Sequence, residues 1–205
     1  MAAIMRHLRD ECRMRGRGSV FCDIGCGEAR PVMAALEACP RISGAYGFDI
    51  DPPTLRIAER NLERFGSKRW DGSSYRSSPG AGDPMPASCV KYGDIISMQE
   101  SGIGCATHAY CFAYGMPAEL QKSVIRCLLS SPRLKWVVLV YKRLSWDVSH
   151  ELVQALLEDG GARLHIFKSA SGQSVLQMPG QTVHGAAFRL NRSTRNVMEH
   201  VLGIF

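Results

Sequence analysis

Val20-Phe21-Cys22-Asp23-Ile24-Gly25-Cys26-Gly27 is the stretch on which the fold of this chain turns. An apolar run, Ser19 to Ile24, carries one carboxylate and enters a turn with two close glycines. A helical pattern follows at once, from Ala29 to Ala38, with Val32, Met33 and Leu36 as core candidates and Pro31 in its first turn. Proline costs nothing there, because the first N–H groups of a helix have no partner inside it. Glycine has no Cβ, so the chain can turn tightly and let a ligand approach its backbone. A strand, a glycine turn and a helix in that order is a nucleotide-binding arrangement. The full dinucleotide fingerprint is not completed, because position 30 is arginine, and no Walker lysine follows.

Reading outward adds two acidic strand ends. A second strand runs from Ala45 to Ile50, and its Asp49 follows Gly27 by 22 residues. A carboxylate at that place can accept hydrogen bonds from ribose hydroxyls. Asp51 is a nearby alternative for that role, but Pro52-Pro53 opens a helix directly after it. Leu55, Ala58, Leu62 and Phe65 form the apolar face of that helix, and Gly66 stops it. A third strand, Cys89 to Tyr92, closes in Gly93-Asp94, where a carboxylate can reach an adenine amino group. Three acidic strand ends on the carboxyl edge of a parallel sheet sit where open α/β sheets bind such ligands. A degenerate nucleotide fold using another nucleotide, or none, is the alternative at this stage.

The rest of the chain continues the alternation. A fourth strand is expected at about Cys105 to Ala113, a helix from Pro117 to Leu129, and a fifth strand from Trp136 to Tyr141. The Val-Val-Leu-Val of that last strand is a continuous apolar run, as in a strand covered on both faces. Residues 147–158 read as a helix. Leu164 to Lys168 and Thr182 to Leu190 then read as two strands with Pro179-Gly180 between them, an antiparallel finish. Alternation of strands and helices implies α/β class and a mostly parallel sheet with right-handed crossovers. Residues 67–87, rich in serine, glycine and proline, read as a long loop or insertion.

Composition narrows the context. The 205 residues suit one domain, with residues 1–18 as a basic arm in which 3–14 read as a short amphipathic helix with Ile4, Leu8 and Met14 on one side. Lysine and arginine number 25 against 19 aspartates and glutamates, a net charge of +6. Arg6, Arg9, Arg13, Arg15 and Arg17 concentrate the excess at the N-terminus, which suits an anionic partner such as nucleic acid, or a solvated helix face. No apolar run reaches membrane-spanning length, and no secretory pattern opens the sequence. Eight cysteines at irregular spacing, with no C-x-x-C pair, predict buried thiols, an intracellular setting and no metal site. His108 and His184 fall in strands and read as satisfied core histidines.

Together the strand ends resemble the motifs of class I S-adenosylmethionine-dependent methyltransferases, whose fold is a Rossmann-like, mostly parallel seven-stranded sheet ending in an antiparallel hairpin. The resemblance implies S-adenosyl-L-methionine as cofactor. By it, Asp23, Gly25 and Gly27 form the loop at the methionine moiety, Asp49 and Ile50 hold the ribose edge, and Asp94 with Ile95 meets the adenine. The fourth strand lacks the N-P-P-Y motif of adenine methylation. Phe112-Ala113-Tyr114-Gly115 instead resembles the N-N-F-A-F-G segment of the non-SET histone lysine methyltransferases named for disruption of telomeric silencing. Gly93-Asp94-Ile95-Ile96-Ser97 is similar to that family's G-D-F-L-S, and Tyr46-Gly47-Phe48-Asp49-Ile50 to its Y-G-I-E-I. The similarity runs in order over residues 20–190, loosest at Ser174-Val175 through Val183.

That resemblance implies a lysine N-methyltransferase with a basic protein substrate such as a histone, and a nuclear setting. Tyr110, Phe112 and Tyr114 would line the reacting end, Tyr110 also touching the cofactor. The departures lie on the substrate side. Tyr110 and Cys111 replace two asparagines, small residues near Gly185 and Ala186 replace tyrosines, and the 18 residues before the first strand hold no lid lobe. An RNA methyltransferase, or a non-catalytic subunit with this fold, are the competing expectations.

Overall fold

The computed structural model describes residues 1–66, 68–69, 87–99, 101–113, 116–141, 163–166, 176–178 and 181–189. The elements run α1 (Ala2–Asp10), β1 (Val20–Ile24), α2 (Arg30–Ala38), β2 (Gly44–Asp49), α3 (Pro52–Phe65), β3 (Lys68–Arg69), β4 (Ala87–Tyr92), β5 (His108–Phe112), α4 (Ala118–Leu129), β6 (Trp136–Tyr141), β7 (Arg163–Ile166), β8 (Leu176–Met178) and β9 (Gln181–Arg189). Two compact units divide the chain: Met1–Asp94 with Cys105–Tyr110, and Ile95–Gly104 with Cys111–Phe205.

The first unit is built on a sheet in the order β3-β4-β2-β1-β5. β1 pairs β2 in parallel, β2 pairs β4 in parallel, and β3 pairs β4 in parallel. α3 shows why the sequence folds as it does here. Asp51 caps it by accepting from Thr54 N at 3.1 Å and from the Thr54 hydroxyl. Pro52 and Pro53 fill the first two helical positions, Leu55, Ala58 and Leu62 are buried, and Gly66 ends the helix at φ 79°. Asp51 is therefore a cap.

The N-terminal segment is part of this unit's core and not an arm. Ile4, Met5, Leu8, Cys12 and Met14 are all buried. Their spacing gives α1 and its exit one apolar side, and burying it outweighs leaving the arginines free in solvent. Arg9 pairs with Asp10, and Arg15 bonds Asp10 and the Arg9 carbonyl, while Arg6, Arg13 and Arg17 stay exposed. His108 is a satisfied core histidine: Nε2 lies 2.9 Å from Cys12 O and Nδ1 2.9 Å from Thr107 Oγ1. A carbonyl can only accept, so Nε2 carries the proton.

In the second unit β9 pairs antiparallel with β6, β7 and β8. The expected antiparallel finish is present, with β9 lying between β6 and β7. Among the described residues the strands number nine where seven are expected for the whole chain. The additions are β3, two residues inside the stretch read as a loop, and β8, three residues paired to β9 with register Met178↔Gln181. Both are too short for a period to show in sequence. α4 begins at Ala118 with Pro117 as its cap, one residue later than expected. The helix expected over 147–158, the side chain of His184 and the tail 194–205 lie outside the described residues.

All eight cysteines are thiols, with none in a disulfide. Among the described residues no cluster of histidine, cysteine or acidic groups suits a metal ion, and no helix is long and apolar enough to cross a membrane.

Candidate functional site

The turn after β1 is shaped by residues in the left-handed region. Gly25 has φ 70° and Gly27 φ 51°, which glycine adopts without penalty, and Ala29 follows at φ 65°. Gly25 N and Cys26 N donate to Phe48 O at 2.9 and 3.0 Å, so the turn is held against the end of β2. From α3, Asn61 Nδ2 donates to Glu28 O at 3.1 Å and steadies the far side of the loop. A Cβ on Gly27 would meet nothing within 4 Å, so the loop faces open space there.

Gly47 makes this close approach possible. It lies in β2 opposite Asp23 of β1. A Cβ built on it would stand 2.4 Å from Cys26 Cβ, 2.9 Å from Cys26 Sγ and 3.3 Å from Val32 Cγ2. Asp23, Gly47 and Asp49 share one face of the sheet, by register and by the two-residue period of strands. The loop and α2 can settle on that face only because Gly47 carries no side chain.

Asp49 ties the three strand ends together. Its Oδ2 accepts from Gly27 N at 2.9 Å, its Oδ1 from Asp51 N at 3.1 Å, and its carbonyl from Gly93 N at 3.1 Å. One residue thus links the glycine loop, the start of α3 and the turn that carries Asp94. Each carboxylate oxygen keeps a further lone pair for a ligand hydroxyl.

Asp23 stands apart. It is 1% exposed, and its Oδ2 is buried with no hydrogen-bond partner. Burial, with the nearby Asp49 second, pushes its carboxyl well above the usual carboxylate range. Cys26 is likewise pushed up by burial, then by Asp23 and Asp49, so its thiol stays protonated and is no nucleophile. Burial pushes Cys12 and Cys127 up to about 12 and Cys39 to about 11.

The sequence-derived positions fall into three groups. Gly25, Gly27, Asp49 and the Gly93-Asp94 turn are drawn together, with Asp23 on the same sheet face as Asp49. Ile50 is 58% exposed, while Asp94 is half-buried and Ile95 buried. Tyr110 and Cys111 are buried in β5 and Phe112 is half-buried at its end. Tyr114 lies outside the described residues. Reading along the chain missed Gly47, whose demand comes from a residue 21 positions away, and Tyr92, which is 65% exposed opposite Asp49 in the β2–β4 register. An exposed apolar side chain at a strand end has no sequence signature, since Tyr92 reads as strand core.

No protein-family model matches the sequence, and no curated protein is similar to it in sequence. Solved structures match its fold. An rRNA methylase from Streptococcus thermophilus aligns at TM-score 0.60 and 11% identity, over 88% of this chain and 92% of that one. TrmK of M. capricolum, in complex with S-adenosyl-homocysteine, aligns at 0.58 and 12%, over 91% and 69%. A ribosomal protein L11 methylase from Lactobacillus delbrueckii subsp. bulgaricus aligns at 0.58 and 15%, over 93% and 78%. At such identities the likeness is one of fold: the chain has the Rossmann-like α/β fold of class I methyltransferases.

Proposed function

We propose that this chain is an S-adenosylmethionine-dependent methyltransferase acting on RNA. One observation carries the cofactor reading. Asp49 joins Gly27 N and Gly93 N through its side chain and carbonyl, so the loop, the ribose-binding carboxylate and the adenine-side turn form one preorganised edge. The residues present fit the cofactor. Open space lies over Gly27, Asp49 has acceptor capacity left, and Asp23 offers a buried oxygen without a partner.

When bound, S-adenosylmethionine supplies a methyl group already activated on sulfur. The chain's own residues bind and orient it. The turn at Gly25 to Gly27 presents backbone to the methionine moiety, Asp49 accepts from the ribose hydroxyls, and Asp94 accepts from the adenine amino group. Ile50 supplies apolar surface beside the ribose. Alignment and exclusion of water are then most of what methyl transfer needs.

The RNA reading rests on the +6 charge and on the fold neighbours, which include an rRNA methylase and a 23S rRNA methyltransferase. Methylation of a protein lysine is the second reading. The resemblance at Phe112-Ala113-Tyr114-Gly115 favours it: Phe112, half-buried at the end of β5, would be a channel wall that keeps a lysine neutral by desolvation.

Calorimetric titration with S-adenosylhomocysteine tests the first step. Wild type should bind, and Asp49→Ala should bind at least about 10-fold more weakly, as expected for two lost charge-assisted hydrogen bonds. Absence of binding to wild type refutes the enzyme reading and leaves a non-catalytic subunit. Radiolabelled methyl transfer to RNA or to nucleosomes then separates the substrates.

A further inference from the structure

The outward line of α3 is built from arginine. Leu55, Ala58 and Leu62 form its buried side, and Arg56, Arg60 and Arg64 stand exposed on the side turned away from them. The spacing is i, i+4, i+8, which stacks the three cations in one row about 6 Å apart along the helix axis. Like charges at this spacing repel, so the row weakens the helix that bears it. Glu59 and Glu63 lie on the same helix, yet among the described residues no ion pair joins either of them to these arginines. The one bond within the row is Arg60 Nε to the Arg56 carbonyl at 3.3 Å, so none of the three guanidinium groups is held in a direct ion pair among the described residues. Beyond Gly66 the chain continues into β3, Lys68–Arg69, at the edge of the first unit's sheet.

The row is also placed near the cofactor edge. α3 starts at Pro52, three residues after Asp49, so Arg56 lies about one turn in and Arg64 near the far end. By contrast, two of the five N-terminal arginines are engaged: Arg9 and Arg15 both pair with Asp10.

We propose that Arg56, Arg60 and Arg64 of α3 form the surface that grips the phosphate backbone of a single-stranded RNA segment leading to the cofactor edge. A regular row of exposed guanidinium groups outside direct ion pairs matches a chain with one negative charge per nucleotide, and guanidinium binds phosphate with two donors at once. Each phosphate neutralised releases counterions, so the grip is strong at low salt and fades as salt rises. This inference rests on the RNA reading.

The test is fluorescence anisotropy with a fluorescein-labelled 16-nucleotide single-stranded RNA across a salt series. Three proteins are compared: wild type, Arg56→Gln/Arg60→Gln/Arg64→Gln, and Arg6→Gln/Arg13→Gln/Arg17→Gln. Both variants lose three positive charges, so net charge is matched between them, and glutamine keeps the helix propensity of α3. Removing three phosphate contacts should lower the slope of log K against log salt by about 2, which is roughly 100-fold weaker binding at 0.1 M salt, converging near 1 M. The N-terminal variant should keep the wild-type slope. S-adenosylhomocysteine binding should be unchanged in both.

If wild type binds no RNA but still binds S-adenosylhomocysteine, the RNA reading fails and this inference with it. If RNA binds and the α3 variant keeps the wild-type slope, or the N-terminal variant loses it instead, the inference alone is overturned. If polyglutamate binds wild type as tightly as RNA and loses affinity in the α3 variant, the surface is for an acidic protein partner.

Discussion

Replacing Gly47 by alanine tests whether the glycine loop is held in place by close packing. The new Cβ would lie 2.4 Å from Cys26 Cβ. Non-bonded carbons prefer about 3.5–4.0 Å, so the two must separate by roughly 1.1 Å or more. Both belong to short-tethered backbone, so no side-chain rotation relieves the clash. The bonds from Gly25 N and Cys26 N to Phe48 O, now 2.9 and 3.0 Å, would stretch beyond hydrogen-bond range. Overpacking costs about 1–3 kcal/mol, and two weakened backbone bonds add about 1 kcal/mol each. A loss of about 3–5 kcal/mol is expected, which lowers the melting temperature by about 6–20 °C for a chain of this size. S-adenosylhomocysteine binding should fall with it, because the loop that presents Gly27 N to Asp49 is the part displaced. Thermal unfolding and calorimetry measure both. Cys26→Gly removes the opposing Cβ and Sγ, so it should destabilise wild type but recover part of the loss in Gly47→Ala. A melting temperature within about 2 °C of wild type for Gly47→Ala, or a double variant no more stable than Gly47→Ala alone, would refute the reasoning.

Asp23 and Asp51 carry further expectations. Because burial raises the folded Asp23 carboxyl above its unfolded value, the folded chain keeps this proton where the unfolded chain has lost it. The protonated group's stabilisation is full below the ordinary aspartate range and declines as pH rises through it toward the raised value. Asp23→Asn should abolish that decline, so the variant gains on wild type with rising pH in denaturant unfolding between about pH 4 and pH 8. An unchanged difference across that range contradicts a protonated Asp23. Asp51→Ala removes the α3 cap and should cost about 1 kcal/mol, with S-adenosylhomocysteine affinity kept, since the ribose ligand proposed above is Asp49. A large loss of affinity at small cost in stability would give Asp51 the ligand role instead.

Much of the first unit was legible along the chain, because its signals are local. The apolar run into Gly25-Cys26-Gly27, the Pro52-Pro53 start, the Leu55-Ala58-Leu62 spacing and the Gly66 stop each depend on neighbours within a turn or two. The apolar run of β6 was read at its observed ends, Trp136 and Tyr141, because continuous apolarity needs no partner to be seen. The N-terminal segment was legible in part: the spacing of Ile4, Leu8 and Met14 implies one side of an amphipathic helix, while the burial of that side, which makes the segment core and not a basic arm, comes from packing within the unit.

What the sequence by itself determined is the order of strands and helices and the identity of the acidic strand ends, because hydrophobic period and glycine or proline chemistry act over a few residues. Only the tertiary structure decided how those ends are joined. Pairing of β2 with β1 and β4 brings Asp49 to Gly27 N and Gly93 N, sets Gly47 against Cys26, and buries Asp23 with an oxygen that no neighbour satisfies. Contacts between residues far apart in the chain carry no period, so they exist only once the sheet has formed.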